Sequence, residues 1–230
     1  MIKLLSYADI ISLTNACLGF LAIVALLSLI ENIDIMRLSF SLILLALLAD
    51  GLDGIIARKT KTSELGDYLE AMADMISMSI APSVFILNIY FTRLSIEPYY
   101  QILLVLLILI FIVCSITRLS SFHLMKNNDY FYGLPASAST IFLLIPSFLE
   151  IDLKFIMFLI IVLSLATISR IKFPKPKIKI NAIAVILILL TLIIGKTFNN
   201  IAPILLFFAL AIYSLLGPIY TKKSIQKISK

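Results

Sequence analysis

The chain has 230 residues, 61% of them hydrophobic and only 14% charged, with a mean hydropathy of +1.10. That composition excludes a water-soluble globular domain and defines an integral membrane protein. The net charge of +6 excludes little by itself, but the basic residues alternate between the connections of apolar runs, which reads as topology and anionic headgroups and not as a nucleic-acid footprint.

A helix needs about 20 mostly apolar residues to cross the hydrocarbon core, where every backbone polar group must be satisfied internally. Long Leu/Ile/Val runs exclude a barrel, whose strands would alternate. Eight spans are predicted, at about 8–30, 38–57, 64–90, 100–117, 132–149, 154–170, 180–196 and 199–217. The expected fold is an all-α polytopic bundle forming one membrane domain over 1–230, with a functional core at about 8–170, accessory spans at about 180–217 and a basic tail at 221–230.

The first span has no short apolar core followed by a small-residue cleavage site, so a retained helix is expected in place of a signal peptide. Cys17 here and Cys114 in the fourth span pair with no second cysteine at metal-ligand spacing, and both are expected to be inert core residues. With the amino terminus in the cytoplasm, one side of the membrane receives 15 Lys and Arg and the other only Arg37, Arg93, Lys154 and Lys196. The positive-inside rule then places both termini in the cytoplasm, in a multi-pass protein of the cell membrane.

The second and third spans hold six of the thirteen acids within 25 residues: Asp50, Asp53, Glu64, Asp67, Glu70 and Asp74. Asp50, Asp53, Gly54 and Ala57 are spaced i, i+3, i+4, i+7 and share one helical stripe, and Gly66, Asp67, Glu70 and Asp74 share another. Ser63 is the expected N-cap of the third span, with Glu64 a first-turn acid favoured by the helix dipole. A rise of about 1.5 Å per residue puts Asp53 roughly 7 Å inside the end of one helix and Glu70 roughly 10 Å inside the start of the next. The short turn between them makes the helices antiparallel neighbours, so the two acidic faces meet at matching depth.

One uncompensated carboxylate near a bilayer centre costs about 3 kcal/mol on insertion scales. Four together need a partner that Arg58 and its neighbouring lysines, close to the surface, do not supply; one or two divalent cations do. An all-oxygen set without His or Cys points to Mg²⁺ or Mn²⁺, with Ca²⁺ a further candidate, in preference to zinc. Gly51, Gly54 and Gly66 leave room for a backbone or a phosphate-bearing ligand to approach closely.

At these residues the chain resembles the CDP-alcohol phosphotransferase family, whose motif is D-x2-D-G-x2-A-R-x8-G-x3-D-x3-D. Here it reads Asp50-x2-Asp53-Gly54-x2-Ala57-Arg58-x7-Gly66-x3-Glu70-x3-Asp74. The spacer is one residue shorter, in the turn, where length changes are tolerated best. Glu70 replaces the third aspartate, and its extra methylene moves the carboxylate by about 1.5 Å. Asp67, one turn earlier on the same face, is a further candidate ligand.

Within the family the likeness is to the phosphatidylserine synthase branch and the archaeal enzymes that make archaetidylserine. LEAMADMISMSIAPS, Leu69 to Ser83, resembles that branch's LDSxADxVSFGVAPA run, and TNACLGFLAI, Thr14 to Ile23, its first-helix T-x-x-N-x-x-x-G-F segment. TRLSSFHLM from Thr117 and YGLPASAST from Tyr132 resemble its R-L-x-R-F-N and G-L-P segments. The resemblance covers about residues 10–145. It implies a homodimeric membrane enzyme with a six-helix core and a polar cavity open to the cytoplasm, binding two divalent ions and a CDP-linked lipid. Asp50, Asp53, Glu70 and Asp74 then become the metal-site carboxylates, with Asp74 the general base, and Gly54, Ala57, Arg58 and Gly66 belong to the nucleotide-binding surface.

The reaction so implied is attack of the L-serine hydroxyl on the phosphorus nearest the lipid, with CMP leaving. Arg118, at the end of the fourth span, suits a phosphate or the acceptor's carboxylate, its alternative being a snorkelling anchor, and Lys126 is a second basic candidate. His123 reads as interfacial polarity, and Tyr132 and Pro135 as cavity walls. FPKPKIK, Phe173 to Lys179, is expected to be an exposed turn, and spans seven and eight serve packing. Inositol phosphate or glycerol phosphate acceptors, a cation transporter, and a catalytically silent CDP-lipid-binding protein are the alternatives.

Overall fold

The computed structural model describes residues 5–27, 33–57, 65–121, 130–176, 178–194 and 200–228. Among them the chain forms eight helices: α1 (Tyr7–Leu27), α2 (Ile33–Ala57), α3 (Gly66–Arg93), α4 (Pro98–Ser121), α5 (Ala136–Phe148), α6 (Leu153–Ile168), α7 (Ile178–Ile194) and α8 (Ile201–Ile228). A two-stranded antiparallel sheet, β1 (Tyr130–Tyr132) with β2 (Lys172–Pro174), joins two of the connections. Each helix falls on one predicted span, so the all-α polytopic fold stands as expected. α1 to α4 and α8 contain stretches long and apolar enough to cross a membrane; α5, α6 and α7, with 13, 16 and 17 residues, are shorter.

Two helices start where a side chain satisfies their free N–H groups. At α1 the backbone N–H of Ser6 donates to Asp9 Oδ2 at 2.6 Å and that of Asp9 to Ser6 Oγ at 3.3 Å, a reciprocal capping box. At α6 Asp152 accepts from the Lys154 N–H at 2.9 Å. α3 starts at Gly66 with Leu65 in the capping position and no side-chain cap; the expected cap Ser63 and Glu64 lie outside the described residues.

α3 is the central helix. Of its most apolar window 56% is buried within the protein, against 28% for α1 and α4 and 22% for α8. α5 lies beside it, buried without interruption from Ala138 to Phe148. Phe85, Ile86, Ile89 and Tyr90 of α3 pack with Ile43 and Leu44 of α2, and Phe40 stacks on Phe148 at 3.9 Å between ring centroids. Lipid tails are as apolar as these side chains, so close packing and polar satisfaction, more than escape from water, hold the bundle together.

Several buried hydroxyls are therefore spent on carbonyls. Ser77, Ser83 and Ser164 bond the carbonyl one turn back in their own helix, at 3.0, 2.6 and 2.7 Å. Ser39 of α2 reaches across to the Ala22 carbonyl of α1 at 2.9 Å, and Ser139 of α5 meets Thr167 of α6 at 3.2 Å. α3 also widens into π-helix at Met75–Ile80 and Ile89–Arg93, features the hydropathy pattern does not reveal. In the first of these the Met78 carbonyl accepts from Thr140 Oγ1 of α5 at 2.7 Å, which ties the two central helices together where the hydrogen-bond ladder changes register.

The turns at the end of α3 and the end of α5 are joined by an Arg93–Glu150 ion pair at 3.0 Å and by the Tyr90 hydroxyl donating to the Ile151 carbonyl. At the opposite end lies the sheet, where the structure corrects the sequence reading. Phe173 to Pro174, expected in an exposed turn, forms part of β2, and Phe173 is buried. α5 begins at Ala136, four residues later than predicted, because Tyr130–Tyr132 pairs as β1. Lys172 lies 4.7 Å from the Tyr130 ring and Lys175 5.0 Å from the Phe131 ring, cation–π contacts suited to a polar boundary.

α8 docks on β2 through Gly217, where a Cβ would stand 2.8 Å from Pro174 Cδ, and through the Tyr213 hydroxyl, which donates to the Pro174 carbonyl. The backbone of the expected basic tail continues α8 as far as Ile228, through Pro218. The two cysteines are free but are not core residues: Cys17 is exposed on the outer face of α1 and Cys114 is half-buried.

Candidate functional site

The i, i+4 spacing of Glu70 and Asp74 puts both carboxylates on one face of α3, and α2 delivers Asp50 to that face. One carboxylate oxygen from each of Asp50, Glu70 and Asp74 lies within 4.8 Å of the others, with Asp74 buried and the other two half-buried. At that separation like charges repel by on the order of 3 kcal/mol per pair for an effective dielectric constant of about 20. The longer Glu70 side chain does not leave the group; it reaches it. Asp67, one turn earlier on α3, lies outside this trio.

Two further polar side chains approach the trio. Asn15 of α1 is fully buried, and its Nδ2 donates to Asp74 Oδ1 at 3.1 Å. Both residues stand eight positions from the start of their helices, about 12 Å along each axis, so the parallel helices α1 and α3 present them at one depth. Arg118, in the last turn of α4, brings its guanidinium into the field of Asp74 and Asp50. Its Nε is buried with no hydrogen-bond partner among the described residues, as is Asn15 Oδ1.

The remaining sequence-predicted residues are placed less fully. Asp53, Gly54 and Ala57 follow Asp50 in the last two turns of α2, located by their backbone. Gly66 opens α3 and Gly51 has open space around it. Arg58, His123 and Lys126 lie outside the described residues. Tyr132 ends β1, and Pro135 occupies the capping position of α5. An apolar groove of about 310 Å³ runs beside the acidic face between α3 and α4, lined by Tyr68, Met72, Met75, Ile116 and Leu119 among others.

Sequence reasoning assigned no role to Asn15. The signal was present, a lone carboxamide in an apolar helix within the TNACLGF segment, but nothing in the one-dimensional pattern says that α1 runs beside Asp74.

The chemistry of this donor set is definite. Three carboxylate oxygens close together, no imidazole or thiolate among them, and a cation nearby form a hard, anionic site suited to divalent metal and phosphate.

An all-helical bundle that carries such a centre on its two acidic helices is a polytopic membrane enzyme. The comparisons identify it further: the chain belongs to the CDP-alcohol phosphatidyltransferase family, whose model matches residues 5–215. Among its relatives is the CDP-diacylglycerol–serine O-phosphatidyltransferase of Methanocaldococcus jannaschii, 32% identical over 75% of this chain and 76% of the relative. The archaetidylserine synthase of Methanothermobacter thermautotrophicus is 33% identical over 73% of this chain and 69% of its own length. The CDP-diacylglycerol–serine O-phosphatidyltransferase of Saccharomyces cerevisiae is 30% identical over 59% of this chain and 51% of its own.

Proposed function

We propose that this chain transfers the phosphatidyl-type group of a CDP-linked lipid to the hydroxyl of L-serine, releasing CMP, at a site holding two divalent cations, Mg²⁺ or Mn²⁺. The observation that carries this reading is the meeting of Asp50, Glu70 and Asp74 within 4.8 Å. The serine acceptor is supported by the names of the relatives above.

The metals supply charge neutralisation at the pyrophosphate and at the departing oxygen. Asp50 and Glu70 hold them, with Asp53 a fourth carboxylate from the next turn of α2, while Gly54, Ala57, Arg58 and Gly66 border the nucleotide. Asp74 is the deepest acid of the trio and takes the proton of the serine hydroxyl as its oxygen bonds to phosphorus. The bond from that phosphorus to the CMP oxygen breaks, and CMP leaves with the electron pair. The buried, unpaired Nε of Arg118 suits a phosphate oxygen of the lipid or the carboxylate of serine. The uneven distribution of basic residues supports a cytoplasmic position for this end of the bundle, where serine is available. The homodimer carries over from the family resemblance.

The transporter alternative needs a polar path beyond Asp74. From Met75 to Asn88, α3 offers only Ser77, Ser79, Ser83 and Asn88. Ser77 and Ser83 spend their hydroxyls on their own helix and Asn88 donates to the Leu26 carbonyl at 3.4 Å, which leaves the buried Ser79 hydroxyl alone without a partner among the described residues and disfavours such a path. Against a silent relative stands the position of Glu70 within the trio. The test is purified protein with CDP-lipid, labelled serine and Mn²⁺. Serine-dependent CMP release supports the reading; hydrolysis indifferent to serine points to another acceptor, and no turnover with any acceptor alcohol contradicts it.

A further inference from the structure

Asn15 has a place in the site that the proposed reaction does not use. It is fully buried, and one half of its carboxamide is committed: Nδ2 donates to Asp74 Oδ1 at 3.1 Å. An ionised carboxylate only accepts, so the amide nitrogen faces Asp74 and the amide oxygen is directed away from that oxygen atom. Asn15 Oδ1 is buried with no hydrogen-bond partner among the described residues. The side chain is also held in place. One turn on, Gly19 lies against Ser77, where a Cβ would stand 2.6 Å from the Ser77 Cα, so α1 is seated at a fixed height on α3.

A buried carbonyl without a donor is unfavourable, and its position here indicates what supplies one. Phosphate oxygens are excluded, since they are acceptors too. Mg²⁺ and Mn²⁺ held by a few carboxylates keep several of their waters, which are strong donors.

We propose that Asn15 is a positioning residue for the metal site. Its Nδ2 holds Asp74 in place through Oδ1, and its Oδ1 accepts from a water of the hydrated divalent ion. This rests on the reading of Asp50, Glu70 and Asp74 as a divalent-cation site.

The test uses two variants of the full chain. Asn15→Leu keeps the branched shape and removes both polar atoms; Asn15→Ser keeps a small hydroxyl too short to reach Asp74 and is the gentler change should the first not fold. Mn²⁺ is titrated into each protein without lipid or serine and followed by electron paramagnetic resonance. Affinity is expected to fall about tenfold or more in both, as for other residues that orient metal ligands. Raising Mn²⁺ is expected to restore serine-dependent CMP release, a rescue that a distorted fold would not show. Affinity within about twofold of the parent in a folded variant overturns the inference and leaves the divalent site standing. A parent protein that takes up no Mn²⁺ overturns the site reading, and the inference with it.

Discussion

Gly19 of α1 and Ser77 of α3 meet backbone to backbone: a methyl group at position 19 would stand 2.6 Å from Ser77 Cα and 2.8 Å from its Cβ. The neighbour is main chain and cannot swing aside, so Gly19→Ala must push the two helices apart. That separation lengthens the Asn15–Asp74 hydrogen bond one turn away. The expected cost is that of overpacking, about 1–3 kcal/mol. A thermal unfolding scan is the check, and an unchanged midpoint would show that α1 and α3 do not pack as described.

Gly133 joins β1 to α5 with φ +72°, and a Cβ there would lie 2.1 Å from the Thr167 carbonyl oxygen. Its N–H donates to the Ile171 carbonyl at 2.9 Å, so strand, helix start and the end of α6 are fixed through one residue. Gly133→Ala combines a left-handed backbone with a clash against main chain. A loss of at least about 2 kcal/mol is expected, seen as early cleavage of the β1 and β2 connections in limited proteolysis. Parent-like protease resistance would contradict it.

The eight helices were legible in the sequence because apolar runs of membrane length have few other solutions. The acidic stripe was legible because Asp50, Glu70 and Asp74 recur at helical spacing on two consecutive spans. What escaped is what depends on neighbours distant in sequence. Phe173 looks like turn residue beside two prolines, yet pairing with Phe131 turns it into buried strand. Cys17 lies in an apolar helix, but helical phase points it outward. The G-L-P segment carries no periodicity of its own; its physical reasons are a positive φ at Gly133, a buried Leu134 and the extended Pro135 ahead of α5.

Glu70 departs from the family motif, yet its carboxylate reaches Asp50 and Asp74. Restoring the motif residue withdraws the oxygen atoms by about 1.5 Å. Glu70→Asp is expected to weaken Mn²⁺ binding and to lower the rate of CMP release by about tenfold or more. A faster Glu70→Asp enzyme would show that the glutamate is a handicap in place of a fitted part.

In the proposed reaction Asp50, Glu70 and Asp74 gather at one depth in the membrane to hold divalent metal for phosphatidyl transfer to serine. The most direct measurement is serine-dependent CMP release across a Mn²⁺ titration, comparing the parent with Asp50→Asn and Asp74→Asn in the same lipid nanodiscs. Metal-dependent release is expected from the parent, release from Asp50→Asn only at much higher Mn²⁺, and none from Asp74→Asn at any concentration. Release by the parent after complete chelation, or parent-like titrations from both variants, would contradict it.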